Sequence, residues 1–168
     1  MSPVFTKSLN AICVWIDQTP LSQAIQAISW VVPTVQTVHI LAIAVVASSA
    51  LMIDLRLLGV FWADRPMKDV FSRFLPLVWW PLLILVATGV IMIIGEPARS
   101  LKNPAFQLKM LLLVTALIVT GLSQFFRRQD GTFGDFGSAP RLRVAIAVVS
   151  MLLWSAIIFA GRWIAYYA

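Results

Sequence analysis

One cysteine, one histidine and seven acidic residues are all that this 168-residue chain offers among its thiols, imidazoles and carboxylates. With Cys13 alone, an intrachain disulfide, a cysteine-based zinc site and an iron–sulfur cluster are excluded, since each needs at least two thiolates. With His39 alone, no intrachain bis-histidine haem can form. No acidic residue stands at the centre of a long apolar run, so a carboxylate relay across a membrane is not expected.

Charge of either sign is also scarce. Only 12% of the residues are Asp, Glu, Lys or Arg, while 60% are apolar, and the mean hydropathy is +0.89. Soluble domains carry about twice that share of charge, so the chain reads as an integral membrane protein. Its apolar runs are too continuous for the period-two pattern of an outer-membrane barrel, which leaves helices as the way to satisfy the backbone in lipid. The net charge of +6 could suggest nucleic acid. The basic residues stand between the apolar segments, however, where topology signals belong, and that discards a nucleic-acid partner. The N-terminus does not read as a cleaved signal: Lys7 is a weak basic start, Asp17 interrupts the apolar run, and no small-residue cleavage pattern follows.

What the sequence does contain is four long apolar runs, each with a proline just before it or at its start: Pro33, Pro66, Pro104 and Pro140. Proline is accepted at a first helical turn, where its missing N–H has no intrahelical partner to lose. Asp64 and Asn103 stand beside two of these prolines as N-cap candidates. The expected fold is all-α, a four-transmembrane-helix bundle with spans at 34–61, 67–95, 104–126 and 140–166. Residues 1–33 form a separate N-terminal segment, and 34–168 the transmembrane domain. In that segment two short apolar patches, 9–16 and 25–32, flank Pro20. Neither can span, and Trp15 and Trp30 suit the headgroup level, so they read as interfacial helices.

Basic residues set the orientation. Arg56, Arg65, Lys68 and Arg73 surround the first connection, and Arg127, Arg128, Arg141 and Arg143 the third. Lys7, Arg99, Lys102 and Arg162 lie on the other side. The excess places the first and third connections in the cytoplasm and both termini outside, as in a multi-pass protein of a bacterial inner membrane. The third connection, RRQDGTFGDFGSAP, is rich in glycine, matches no phosphate-binding motif and reads as a flexible connector.

His39 carries the functional question. It lies about 9 Å along its helix, inside the apolar zone, where an ionisable side chain is costly and marks a functional site. Lys109 stands at a similar depth on the third span, which runs in the same direction. The fourth span returns Arg162 to that side with Trp163, Tyr166 and Tyr167 as an aromatic belt, and the second brings Met92. The candidate cluster is therefore one imidazole, two cations and a thioether. The plain alternatives are snorkelling for Lys109 and Arg162, packing for Met92, and a hydrogen bond from His39 to a neighbouring hydroxyl such as Thr88. Elsewhere, Pro76 and Pro81 should kink the second span, Trp79 and Trp80 lie at that bend, and Asp54 is placed to pair with Arg73.

A neutral imidazole suits the axial position of haem iron, and nearby cations suit its propionates. His39 is then the metal ligand, with Lys109, Arg162 and Met92 as further cofactor contacts. Met92, Lys109 or a histidine from a second subunit could supply a sixth ligand. The order of features resembles the four-helix membrane families that include HemJ-type protoporphyrinogen oxidases and CopD-like copper-resistance proteins. It consists of an early histidine (His39), an Arg-bearing connection (Arg56), a Pro/Gly-containing second helix (Pro76, Pro81, Gly89) and an early lysine in the next (Lys109). DLRLLG at 54–59 and NPAFQLK at 103–109 resemble an uncharacterised bacterial branch of such proteins. The resemblance implies haem b, with His39 on the iron and Lys109 at the porphyrin or a propionate, and electron transfer to quinone or tetrapyrrole oxidation as the activity. DLRLLG and the third connection depart from the oxidase pattern. The alternatives are a non-catalytic accessory subunit or small transporter with a structural His/Lys pair, and a copper-related membrane protein. A homo-oligomer is compatible with all of them.

Overall fold

The computed structural model describes residues 3–62, 64–129 and 140–166. In chain order these form α1 (Pro3–Asp17), α2 (Pro20–Ala27), α3 (Val31–Leu57), α4 (Met67–Gly95), α5 (Pro97–Leu101), α6 (Pro104–Gln129) and α7 (Pro140–Trp163), which ends in a 3₁₀ turn at Ile164–Tyr166. Four of them, α3, α4, α6 and α7, are long and apolar enough to cross a membrane. The fold is thus an all-α bundle of four transmembrane helices with two further helices ahead of the first span. The glycine-rich stretch 130–139 lies outside the described residues.

Local chemistry sets the helix ends. Helix α3 begins at Val31 rather than after Pro33, because a proline in the first turn lacks only an N–H that no intrahelical carbonyl could have used. Its other end falls at Leu57, short of the expected 61. Gly59 adopts a positive φ of 77°, and the Gly59 and Val60 amides return to the carbonyls of Arg56 and Leu55, each at 3.1 Å. This is the Schellman arrangement, which uses glycine's tolerance of left-handed backbone to stop a helix; it explains the last residue of DLRLLG. Asn103 caps α6 by accepting from the Ala105 amide at 2.9 Å. Asp64 does not cap α4, whose N-cap is Pro66. Helix α4 runs as one element through Pro76 and Pro81, and Trp79 and Trp80 both face outward, as lipid-side aromatics rather than an internal wedge.

The interior is built from small and branched side chains. Val46 and Val70 have no exposed surface, and Ala42, Ala50, Ala116 and Ala147 let backbones approach closely. Leu83, Ile84, Leu111, Val114, Leu152 and Phe159 point outward, as expected of helices solvated by acyl chains. The bundle is not square. Helix α3 packs on α4 and on α7, and α7 packs on α6, whereas among the described residues no Cα of α4 comes within 8 Å of α6 or α7. The order across the bundle is therefore α4, α3, α7, α6.

The N-terminal helices dock at the end where α4 finishes. Thr19 caps α2 through the Ser22 amide, with Pro20 at the first helical position. The Ser22 hydroxyl, itself buried, donates to the Ile94 carbonyl at 2.6 Å, and the buried Cys13 thiol lies 3.7 Å from the Pro97 carbonyl. Trp15, Leu21 and Trp30 stay exposed. That is the amphipathic disposition of a helix pair lying along an interface.

Candidate functional site

The start of α3, the end of α4, the start of α6 and the end of α7 meet at one end of the bundle. Asn103 holds two of them together, since its side-chain amide donates to the Ile164 carbonyl at 3.1 Å while its oxygen caps α6. One to two turns further in, three polar side chains from three helices form a chain: Thr88 on α4, His39 on α3 and Lys109 on α6. His39 Nδ1 lies 2.7 Å from Thr88 Oγ1, and Lys109 Nζ lies 3.4 Å from His39 Nε2.

The direction of each hydrogen bond follows from proton counting. The Thr88 hydroxyl has one proton, and it points to the Ile84 carbonyl at 2.6 Å. Towards His39 the oxygen can therefore only accept, so Nδ1 carries the N–H. Lys109 offers donors and no acceptor. Nε2 must then present its lone pair to the ammonium. The helix carbonyl thus fixes the tautomer of an imidazole on the neighbouring helix, and the nitrogen left as a Lewis base is the one facing the interior of the bundle.

Two glycines lie against this chain. A Cβ on Gly89 would stand 3.8 Å from His39 Cε1, and one on Gly161 would stand 3.6 Å from Lys109 Nζ and 3.7 Å from its Cε. Helix α3 does not bring a Cα within 8 Å of α6 among the described residues, so Lys109 bridges the distance by laying its stem across α7 at Gly161. A Cβ at either position would sit at ordinary contact distance, so a methyl group fits and only a longer side chain would contest the crossing. Lys109 is thereby turned inward, not towards the headgroups.

The other expected members stand elsewhere. The Arg162 guanidinium is at the exposed end of α7, over the Tyr166 ring at 5.7 Å. Met92 is half-buried and lies one turn beyond Thr88 on the same face of α4. Arg99 pairs with Glu96 at 3.0 Å. At the opposite end, Arg73 does not reach Asp54: it is exposed, its guanidinium 5.8 Å from the Trp62 ring, while Asp54 is buried in the interior. Thr88 was legible as a hydroxyl at the right depth. Gly161 was missed, although an interior helical glycine is itself a sign of close approach.

Among the described residues, no three side chains of His, Cys, Asp or Glu stand together as a metal cage. A bare cation therefore finds no multidentate protein site there. Haem makes a smaller demand, because the macrocycle supplies four nitrogens and the protein one or two. The donor present fits that demand, since metal-bound histidines commonly give their other N–H to a neighbouring oxygen, as His39 gives Nδ1–H to Thr88.

Fold and site together define a class: a four-span helical membrane protein with a threonine–histidine–lysine chain across its interior near one face. The chain belongs to DUF6644, a family of unknown function, whose model matches residues 13–167 and so takes in the end of α1, all of α2 and the four spans. No curated protein and no solved structure matches it.

Proposed function

We propose that this is a haem b-binding protein of a bacterial inner membrane, in which His39 Nε2 would hold the iron, serving electron transfer with lipid-soluble quinone or the oxidation of a tetrapyrrole. The observation that carries the reading is the pair of short contacts at Thr88, 2.7 Å to His39 Nδ1 and 2.6 Å to the Ile84 carbonyl, from which we infer the Nδ1–H tautomer with Nε2 as a neutral Lewis base. Haem bound there would supply one-electron redox chemistry. The chain's own residues would do the rest. Thr88 orients the ring and raises its basicity through the Nδ1–H bond. Lys109, 3.4 Å from Nε2 on a flexible four-carbon stem, would pair with an acidic group of the ligand, and Arg162 and Met92 would be further contacts on the same side. The resemblance to HemJ-type oxidases supports this assignment, and the basic first and third connections support a cytoplasmic placement for them and an outer placement for both termini.

A second reading rests on the same contacts. Both ring nitrogens of His39 already have partners within the protein, so the pair could serve only to tie helices together in an accessory subunit or small transporter. The visible spectrum of protein purified from haem-replete cells separates the two. A Soret band present in the wild type and lost in His39→Ala is the expected result. A colourless wild type overturns the haem assignment and leaves the tie. Metal analysis of the same sample tests copper.

A further inference from the structure

Where the N-terminal helices dock, a cleft of about 480 Å³ opens between α1, α2 and the turn from α4 into α5. That volume lies within the roughly 300–1,000 Å³ of small-molecule pockets. Helix α1 lines it with Val14 and Asp17, α2 with Gln26, and the turn into α5 with Glu96, Arg99 and Lys102. The cleft stands at headgroup level. Residues 74–95 carry no charge and Glu96 is the first charged residue past that run, while Trp15 and Trp30 are exposed at the same end of the bundle, where interfacial aromatics belong.

Charges of both signs line the cleft, and the protein uses only part of them. Glu96 pairs with Arg99 at 3.0 Å, and the guanidinium keeps further N–H donors. Asp17 and Lys102 are exposed, and neither forms an ion pair among the described residues. Gln26 donates to Asp17 Oδ1 at 2.8 Å, which holds the carboxylate and leaves its second oxygen unmatched. Asp17 is also the last residue of α1, where a negative charge opposes the helix dipole. Its charge does not serve the helix it ends.

We propose that this cleft binds the headgroup of an ethanolamine phospholipid, with the phosphate on Lys102 and Arg99 and the ammonium on Asp17. A headgroup that carries both charges matches a cleft that offers both. A glycerol headgroup brings an anion and has no cation for Asp17. A choline headgroup has no N–H to give, and aromatic faces are its usual partners, whereas no residue lining the cleft is aromatic. Val14 and Ala98, both exposed, offer apolar contact to the glycerol end of the lipid. The site is independent of haem at His39.

Native mass spectrometry of the full chain in detergent, with equal amounts of dioleoyl phosphatidylethanolamine, phosphatidylcholine and phosphatidylglycerol, tests it. The ethanolamine lipid should be retained about three-fold over each of the others, the scale of one exposed ion pair. Asp17→Asn should erase its advantage over the glycerol lipid, and Lys102→Gln should lower retention of both. Both side chains are exposed, so each variant should keep the wild-type circular dichroism. Equal retention of the three lipids by the wild type, or wild-type behaviour of either variant, overturns the proposal. Glycerophosphoethanolamine, the same headgroup without acyl chains, should compete only at far higher concentration; competition at the concentration of the lipid itself assigns the cleft to a soluble zwitterion and refutes the lipid.

Discussion

Replacing Thr88 with valine tests the proton bookkeeping at the centre of the site. The substitution conserves shape and removes one hydroxyl, so two contacts go together: the 2.7 Å bond with His39 Nδ1 and the 2.6 Å bond to the Ile84 carbonyl. The second loss is minor, because that carbonyl keeps its helical amide partner. The first leaves a half-buried N–H facing a methyl group. Leaving such a donor unmet costs about 1–3 kcal/mol in proteins generally. Interhelical side-chain bonds within membranes average nearer 0.6 kcal/mol, with model peptides giving about 1–2. The smaller scale applies here, because the ring is only half-buried and keeps its contact with Lys109. The expected loss is about 1 kcal/mol, or roughly a five-fold shift in the unfolding constant. Reversible unfolding in bicelles measures it, and Thr88→Ser should recover most of it. The imidazole nitrogen shifts by ¹⁵N NMR supply the second readout: a hydrogen-bonded Nδ1–H in the wild type and in Thr88→Ser, and in Thr88→Val an Nδ1 resonance moved by loss of its acceptor, with Nε2 still facing the Lys109 donors. Wild-type stability together with an unmoved Nδ1 resonance in Thr88→Val would refute the assignment of donors made above.

At Gly161, alanine should be accepted, because its Cβ would sit at ordinary contact distance from Lys109; leucine should push the lysine stem off α7, and a cross-link or distance probe between positions 39 and 109 would report the separation. Asn103→Ala removes both the cap of α6 and the bond to the Ile164 carbonyl, with an expected loss of about 1–2 kcal/mol in the same unfolding assay and little change for Asn103→Asp at the cap itself. Gly95 lies under α2, where a Cβ would come within 3.0 Å of Ile25 Cγ2. Gly95→Val should therefore lift α2, read as faster amide exchange over residues 20–27 with α3 and α7 unchanged. Ser22→Ala, which deletes the bond to Ile94, should act in the same direction more weakly.

The four spans were legible because lipid imposes a length and a composition that few other environments share. Depth along each span was legible too: counting from Pro33 and Pro104 put His39 and Lys109 at one level, and they lie side by side. Rotation and neighbour order were harder to read. That Lys109 turns inward depends on Gly161 of α7 being its neighbour, and that Arg162 turns to Tyr166 depends on the 3₁₀ turn ending the chain's last helix. The Asp54–Arg73 pairing failed for the same reason: proximity in sequence across the first connection did not reveal that Arg73 faces out over Trp62. The early stop of α3 at Leu57 was encoded openly by Gly59, and the apolar residues after it concealed the signal.

The order of the helix backbones among the described residues, α4, α3, α7, α6, makes the protein two antiparallel hairpins whose backbones approach most closely along α3 and α7. Each hairpin is contiguous in the chain, so the α3–α4 hairpin can form before the second is synthesised, and a molecule cut between α4 and α6, at 96–103, should reassemble from its two pieces. The reach of Lys109 to His39 is then a latch between hairpins, closed only when both halves have met.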